Sequence, residues 1–332
     1  MKHAWIWVSM MIAGLQGLAP AQDPAAFFKD CAAKAEAATG MTVPGKDGWF
    51  FLRAELRHLG AGEFWGEAAQ KVSAAARADS KDPLVALLDF KQQLDKLGIE
   101  LIMLPVPPKA CIYPEKISDT VTAKDTEPPP RLDVNHQAFY KLLKEKGVTV
   151  VDLFPELTQS RATMYCRTDT HWSGLACVKV AKLLAKELEG RPWMKDVKKT
   201  TFESEIKTIS VSGDLIRDLK TIPPPEPENL MLRYVGTKAD KGLKPLLADP
   251  KSPVLVLSDS HGLVFHSGDD MFTFGAGLTD QLALELGFAA DEIGSKGDGI
   301  TAVRADLYRK AKADPAWLAG KGTYIRSFAL GF

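Results

Sequence analysis

The sequence predicts an α/β fold built on a mainly parallel sheet with helices on both faces. From Pro83 onward, helical patterns alternate with short runs that are almost continuously apolar. Such runs mark strands buried on both sides, not strands with one wet face. The chain has 332 residues, 45% hydrophobic and 25% charged, enough for one large domain or two small ones with a sizeable core. In sheets of this kind, ligands sit beyond the carboxyl ends of the strands.

The first 21 residues read as a secretory signal. Lys2 supplies a positive start, Ala4 to Leu18 is apolar apart from Ser9 and Gln16, and Ala19-Pro20-Ala21 fits a small-x-small cleavage site. The apolar run is short beside the roughly 20 residues a membrane span needs, so cleavage is expected and an uncleaved anchor is the competing reading. Cleavage removes only Lys2 among the charged residues, leaving 41 basic against 42 acidic side chains. That balance gives no global field to attract nucleic acid. Residues 22–332 are expected to form a single domain.

Residues 22–80 are rich in Ala and charge, with helical stretches around Gly45-Lys46-Asp47-Gly48-Trp49-Phe50-Phe51-Leu52. Gly and Asp there point to a turn and the aromatic run to a strand. Pro83–Leu97 is a helix: Asp82 caps it, Pro83 occupies its first turn, and Leu84, Leu87, Phe90, Leu94 and Leu97 form one stripe. Gly98 ends it, and Ile99–Val106 is a buried strand stopped by Pro107-Pro108. A polar, proline-rich loop covers Lys124–Pro130. Leu132–Lys146 is the next helix, and Val148–Phe154 the next strand. Ser173–Leu188 is a third helix. Pro223–Pro227 is a second break, Pro253–Leu257 a short apolar strand, and Thr323–Leu330 a final strand.

Four cysteines, Cys31, Cys111, Cys166 and Cys177, form an even set in an exported chain. Cys166–Cys177 and Cys31–Cys111 are one way to pair them, and buried free thiols the alternative. No C-x-x-C or paired-histidine spacing favours zinc.

Two strings carry chemistry. Val254–Leu257 runs into Ser258-Asp259-Ser260-His261-Gly262, which would expose the Ser260 hydroxyl at a strand's carboxyl end, with backbone N–H groups nearby to hold an oxyanion. A hydroxyl at its normal pKa needs a base. The second string, Arg167-Thr168-Asp169-Thr170-His171-Trp172-Ser173-Gly174, precedes the third helix. If it is extended, Asp169 and His171 share a side, so Asp169 can hold Nδ1–H and leave Nε2 for the serine proton. The bland alternatives are an ordinary turn at Ser260 and a helix cap at Asp169; a metal pair from Asp169 and His171 is a further one.

These strings, in order with Gly45–Leu52, Val106-Pro107-Pro108-Lys109 and Tyr113-Pro114, resemble the AlgJ/AlgX family of alginate O-acetyltransferases. The shared pattern runs from residue 45 to about 330. The resemblance implies a three-layer α/β/α SGNH-hydrolase-like domain and a catalytic triad of Ser260, His171 and Asp169. It also implies a periplasmic protein acting on a polysaccharide, alginate or similar, and working with a membrane-bound O-acyltransferase that supplies acetyl groups. No cofactor or metal is implied. The chain departs from the family at Ser258, where glycine is usual, at His261, and in its ending, Tyr324-Ile325-Arg326-Ser327-Phe328-Ala329. Further expectations are Lys109, Tyr113 and Trp172 as substrate contacts, with Trp49 beside them, and Ser260 and Gly275 as oxyanion donors, the latter within Gly275-Ala276-Gly277; Gly213-Asp214 is a second loop near the site. The reaction is acetyl transfer through an acetyl-serine. A carbohydrate acetylesterase with the same triad, and a non-catalytic polysaccharide-binding protein with a degenerate site, are the alternatives.

Overall fold

The computed structural model describes residues 23–75, 77–123, 127–160, 164–217, 219, 225–297 and 301–329. The expected signal segment, and parts of the loops 124–130 and 223–227, lie outside the described residues.

β1 (Thr42–Pro44) and β2 (Phe50–Leu52) form a small hairpin around Asp47-Gly48. The helix Pro83–Lys96 is capped by Asp82, whose carboxylate accepts the Leu84 N–H at 2.9 Å. It leads into β3 (Glu100–Val106). β4 is only Thr149–Val150, shorter than the expected 148–154. The strand stops because Asp152 accepts the Phe154 N–H at 3.1 Å and Pro155 opens the helix Phe154–Thr158. The helix Gly174–Leu188 follows, capped by Ser173.

β5 (Glu203–Val211), β6 (Glu228–Lys238) and β7 (Leu243–Pro245) make a separate antiparallel sheet that the sequence pattern does not announce. β5 carries Glu, Ser, Lys and Thr at most positions and is largely exposed, so it has no clean apolar alternation. β6 docks on the helix Leu278–Leu286 through Arg233, which donates to Gln281 at 2.7 Å and Glu285 at 2.8 Å.

β8 (Val254–Ser258), β9 (Asp291–Gly294) and β10 (Thr323–Ala329) complete the main sheet, whose order is β4-β3-β10-β8-β9 with every pairing parallel. The last strand of the chain thus inserts between β3 and β8. Side chains alternate between two cores. Ile102, Leu104, Val254, Val256 and Ile325 face the helices Pro24–Ala37 and Gly174–Leu188. Leu101, Met103, Leu255, Leu257 and Tyr324 face Leu94, Phe139, Leu143, Leu307 and Trp317. Two apolar faces on every central strand are what a three-layer α/β/α domain requires.

Candidate active site

β8 ends in a turn built by its own aspartate. Asp259 accepts the His261 N–H at 2.8 Å through Oδ1 and the Ala329 N–H at 2.6 Å through Oδ2, tying the turn to the end of β10. Ser260 opens the short helix Ser260–Leu263 and is half-buried. Ser258, the departure from glycine, points into space that Gly262 leaves open: a Cβ at Gly262 would lie 2.3 Å from both Cβ and Oγ of Ser258. The extra hydroxyl donates to Glu292 at 3.4 Å. The side chain added at 258 is therefore matched by the one missing at 262.

The Asp169–His171 loop is folded, not extended. Cys166 N–H donates to His171 O at 3.2 Å and Ser173 N–H to Met164 O at 3.0 Å, so residues 164–173 double back with Arg167–Thr170 at the tip. The two side chains meet through a tight aspartate turn: Asp169 Oδ1 accepts both the His171 N–H at 2.9 Å and His171 Nδ1 at 2.6 Å. With the proton on Nδ1, Nε2 carries the lone pair. Nε2 is buried and has no hydrogen-bond partner among the described residues, so the expected Ser260–His171 bond is not formed. The residue after Ser260 nevertheless reaches the histidine loop. The His261 ring meets the His171 ring edge-on at 4.8 Å, and the His261 carbonyl accepts the Trp172 indole N–H at 2.8 Å. His261 Nδ1 stands 3.5 Å from its own carboxylate neighbour Asp259, against 2.6 Å for His171 and Asp169. His171 is the better-oriented imidazole.

Burial alone would lower the His171 pKa, but the Asp169 charge and hydrogen bond outweigh it, with Asp214 and Asp259 adding to the rise. Burial alone would raise Asp169; His171, joined by the Asp214 and His171 N–H groups, instead holds it well below the usual carboxylate range. Asp214, Asp169 and His171 each put one ligand-type atom within 4.8 Å of the others. The 2.6 Å Nδ1–Oδ1 contact is a short hydrogen bond, which a shared cation would have to open.

Several expected contacts go elsewhere. Lys109 does not face a ligand. Its ammonium is buried and spends its donors on three backbone carbonyls, Phe50 at 2.6 Å, Arg167 at 3.0 Å and Asp169 at 3.0 Å. Tyr113 is a core residue: it stacks on Trp49 at 4.0 Å, and its hydroxyl accepts the Met164 N–H at 3.1 Å. Trp172 is fully buried, with its only polar atom committed to His261, so it cannot stack on a sugar. Gly275 lies in the loop before the helix Leu278–Leu286 and is tied to β6, where its carbonyl accepts the Val235 N–H at 2.7 Å; a Cβ there would lie 3.3 Å from the Val235 carbonyl oxygen. The cysteines are all buried free thiols, packed as small apolar groups with their thiol pKa values pushed up by burial.

Two further residues hold the loop, both supplied by the excursion between the helix Gly174–Leu188 and β8. Glu228, at the start of β6, accepts the Arg167 N–H at 2.9 Å, the Thr168 N–H at 2.9 Å and the Thr168 hydroxyl at 2.8 Å. Asp214 N–H donates to Asp169 Oδ2 at 2.8 Å, and Asp214 Oδ1 accepts the Thr170 N–H at 2.7 Å. Gly213 allows this approach, since a Cβ there would lie 2.1 Å from the Thr168 carbonyl oxygen. A lone Glu after a proline-rich break carries no sequence signal; Gly213-Asp214 shows one only as a turn.

A parallel sheet in this strand order, with a serine-bearing turn after a central strand beside a carboxylate–histidine pair, defines an SGNH hydrolase-like domain. The model of the family described as "SGNH hydrolase-like domain, acetyltransferase AlgX" matches residues 42–312, and the chain belongs to that family. Similar curated proteins are named probable alginate O-acetylase AlgJ. The one from Pseudomonas aeruginosa is 26% identical over 261 residues, 74% of this chain and 60% of its own length. The one from Pseudomonas putida is 24% identical over 281 residues, 81% of this chain and 66% of its own. The chain thus spans about 60% of the length of the first of these relatives. Among solved structures, the O-acetyltransferase domain of Pseudomonas putida AlgJ superposes with a TM-score of 0.63 at 19% identity, covering 87% of this chain and 91% of that one. Pseudomonas aeruginosa AlgX superposes at 0.61 and 16% identity, covering 91% and 67%. At these identities the superpositions establish the shared fold.

Proposed function

We propose that the chain is a periplasmic polysaccharide O-acetyltransferase working through an acetyl-serine at Ser260, with His171 as base and Asp169 as its orienting carboxylate. The supporting observation is the 2.6 Å His171–Asp169 pair set against the residues that flank Ser260. His171 Nε2 takes the hydroxyl proton as Ser260 Oγ attacks an acetyl carbonyl, closing onto Oγ as the donor enters. The oxyanion is held by backbone donors at the turn, the Ser260 N–H among them, each worth about 3 kcal/mol. The donor's C–O bond breaks, and the imidazolium protonates the leaving oxygen. A sugar hydroxyl then attacks acetyl-Ser260, passing its proton to Nε2 and from there back to Ser260 Oγ. If water attacks instead, the same site is an esterase.

The curated relatives are named for alginate O-acetylation, which makes an alginate-like polymer the acceptor to test first. Export by the N-terminal signal, and a membrane-bound O-acyltransferase as acetyl supplier, complete the reading. Incubation with p-nitrophenyl acetate should release nitrophenol and leave one acetyl group on Ser260, detected by intact mass. Ser260→Ala should abolish both. Acetylated oligosaccharide appearing when an alginate or cellulose oligomer is added identifies transfer. Absence of any release from wild type would reject the enzyme and favour a binding protein.

A further inference from the structure

Asp214 is a carboxylate beside the proposed triad that the acyl-transfer steps do not use. Asp169 is saturated: Oδ1 takes the His171 N–H and Nδ1, and Oδ2 takes the Asp214 N–H. Asp214 returns the bond by accepting the Thr170 N–H at 2.7 Å. The two aspartates thus bracket the backbone from 169 to 171 with reciprocal bonds. Asp214 also brings a second negative charge, with one of its oxygens within 4.8 Å of a His171 ring nitrogen. Its side chain is only half-buried. The groups facing His171 are then Asp169 on its own loop, Asp214 on the short helix Asp214–Arg217, Asp259 on the serine turn and the His261 ring beside it.

We propose that Asp214 is a positioning residue for His171: it locks the Asp169–Thr170–His171 turn and shares the charge of the imidazolium that forms when Ser260 is deprotonated. This rests on the acyl-transfer reading above and deepens it. A triad with one carboxylate leaves imidazolium stabilisation to that group alone. Here the burden is split, because two carboxylates this close cannot both hold their ordinary proton affinity. The directions agree: Asp169 is held low while Asp214 is raised, by burial first and by the Asp169 charge second.

The test is the His171 imidazole titration followed by NMR on the full chain, with the pH profile of p-nitrophenyl acetate hydrolysis measured in parallel. Asp214→Asn keeps an oxygen to accept the Thr170 N–H and removes the charge. It should lower the His171 pKa by about one to two units and move the acid limb of kcat/KM down with it, between the limits that bulk water and a protein surface set for one charge at this distance. Asp214→Glu should recover most of the shift. A folded Asp214→Asn whose imidazole titrates as wild type does would overturn the proposal. Should Asp214→Asn not fold, wild type decides: the imidazole resonance must show a second inflection as Asp214 takes its proton, and a single-step titration overturns the idea. The titration needs no turnover. A protein without hydrolytic activity but with the shifted imidazole would lose the acyl-transfer reading and keep the Asp214–His171 coupling.

Discussion

At the scale of single residues, the shape of the candidate site is held by side chains buried beneath it. Lys109 shows this most directly. Burial pushes its ammonium pKa down to about 8, yet its three carbonyl acceptors hold it in the loop that carries Asp169. Lys109→Met keeps the aliphatic stem and orphans those carbonyls. Stability should fall by about 2–4 kcal/mol, on the order of one or two unsatisfied buried groups. If the loop loosens, kcat should fall more than KM rises, because the loss is in orientation and not in binding. Urea denaturation and steady-state kinetics of this variant check both parts. Ser258 and Gly262 make a second pair. Gly262→Ala forces a Cβ into the Ser258 side chain at 2.3 Å and should destabilise the native chain. In a Ser258→Gly background the same substitution should be neutral or stabilising, since alanine is favoured over glycine in a helix by about 1 kcal/mol. A double-mutant cycle on Tm measures the coupling, and additive effects would reject the account of why serine is tolerated at 258.

At the scale of elements, the strands of the central sheet and the helices that cover it are legible because their residues answer to one rule each: apolar on both faces, or apolar on one stripe. Asp82 and Ser173 mark helix starts by their own hydrogen bonds, and Pro83 by its fixed backbone in the first turn. The antiparallel sheet β5-β6-β7 was not legible, since its exposed edge has no apolar period to read. The site divides in the same way. Ser260, Asp169 and His171 stand out by local pattern, whereas Glu228 and Asp214 act on a loop some 45 to 60 positions away. Lys109, Tyr113 and Trp172 were drawn toward the substrate by their chemistry and toward the core by packing, and packing prevailed. The proposed triad is written in two short strings, yet the loop carrying two of its members is bonded to the long excursion between them. Glu228→Gln tests that dependence: it turns one accepting oxygen into a donor facing the Thr168–Arg167 N–H pair, and should lower activity about tenfold or more with a smaller loss of stability. Unchanged kcat would mean that the loop holds itself.

At the scale of the whole molecule, the two cores titrate in opposite senses. On the face lined by Phe64 and Phe139, His58 and His136 sit with rings 5.2 Å apart and with ring nitrogens that have no partner among the described residues. Burial lowers their pKa values to about 4 and about 3. Each is therefore neutral when folded and takes up a proton near pH 6.5 when unfolded, so the stability it contributes is present above about 6.5 and is lost as pH falls toward the folded values. On the opposite side, His266 lies between Asp280 at 2.8 Å and Glu292 at 2.9 Å, and those carboxylates overcome burial to raise its pKa to about 11. Its contribution is complete below about 6.5 and is lost as pH rises from there toward about 11. The stability profile should accordingly have an acid limb owned by one core and an alkaline limb owned by the other. Between pH 6.5 and 4.5 the two buried histidines together should make unfolding easier by about 2–3 kcal/mol per pH unit, an upper figure set by two groups each worth about 1.4 per unit. His136→Leu, close to it in volume, should roughly halve that acid slope while leaving the alkaline limb unchanged; Asp280→Asn should do the reverse. Urea midpoints measured across the pH range separate the two, and an acid slope unaltered in His136→Leu would place the proton uptake elsewhere in the fold.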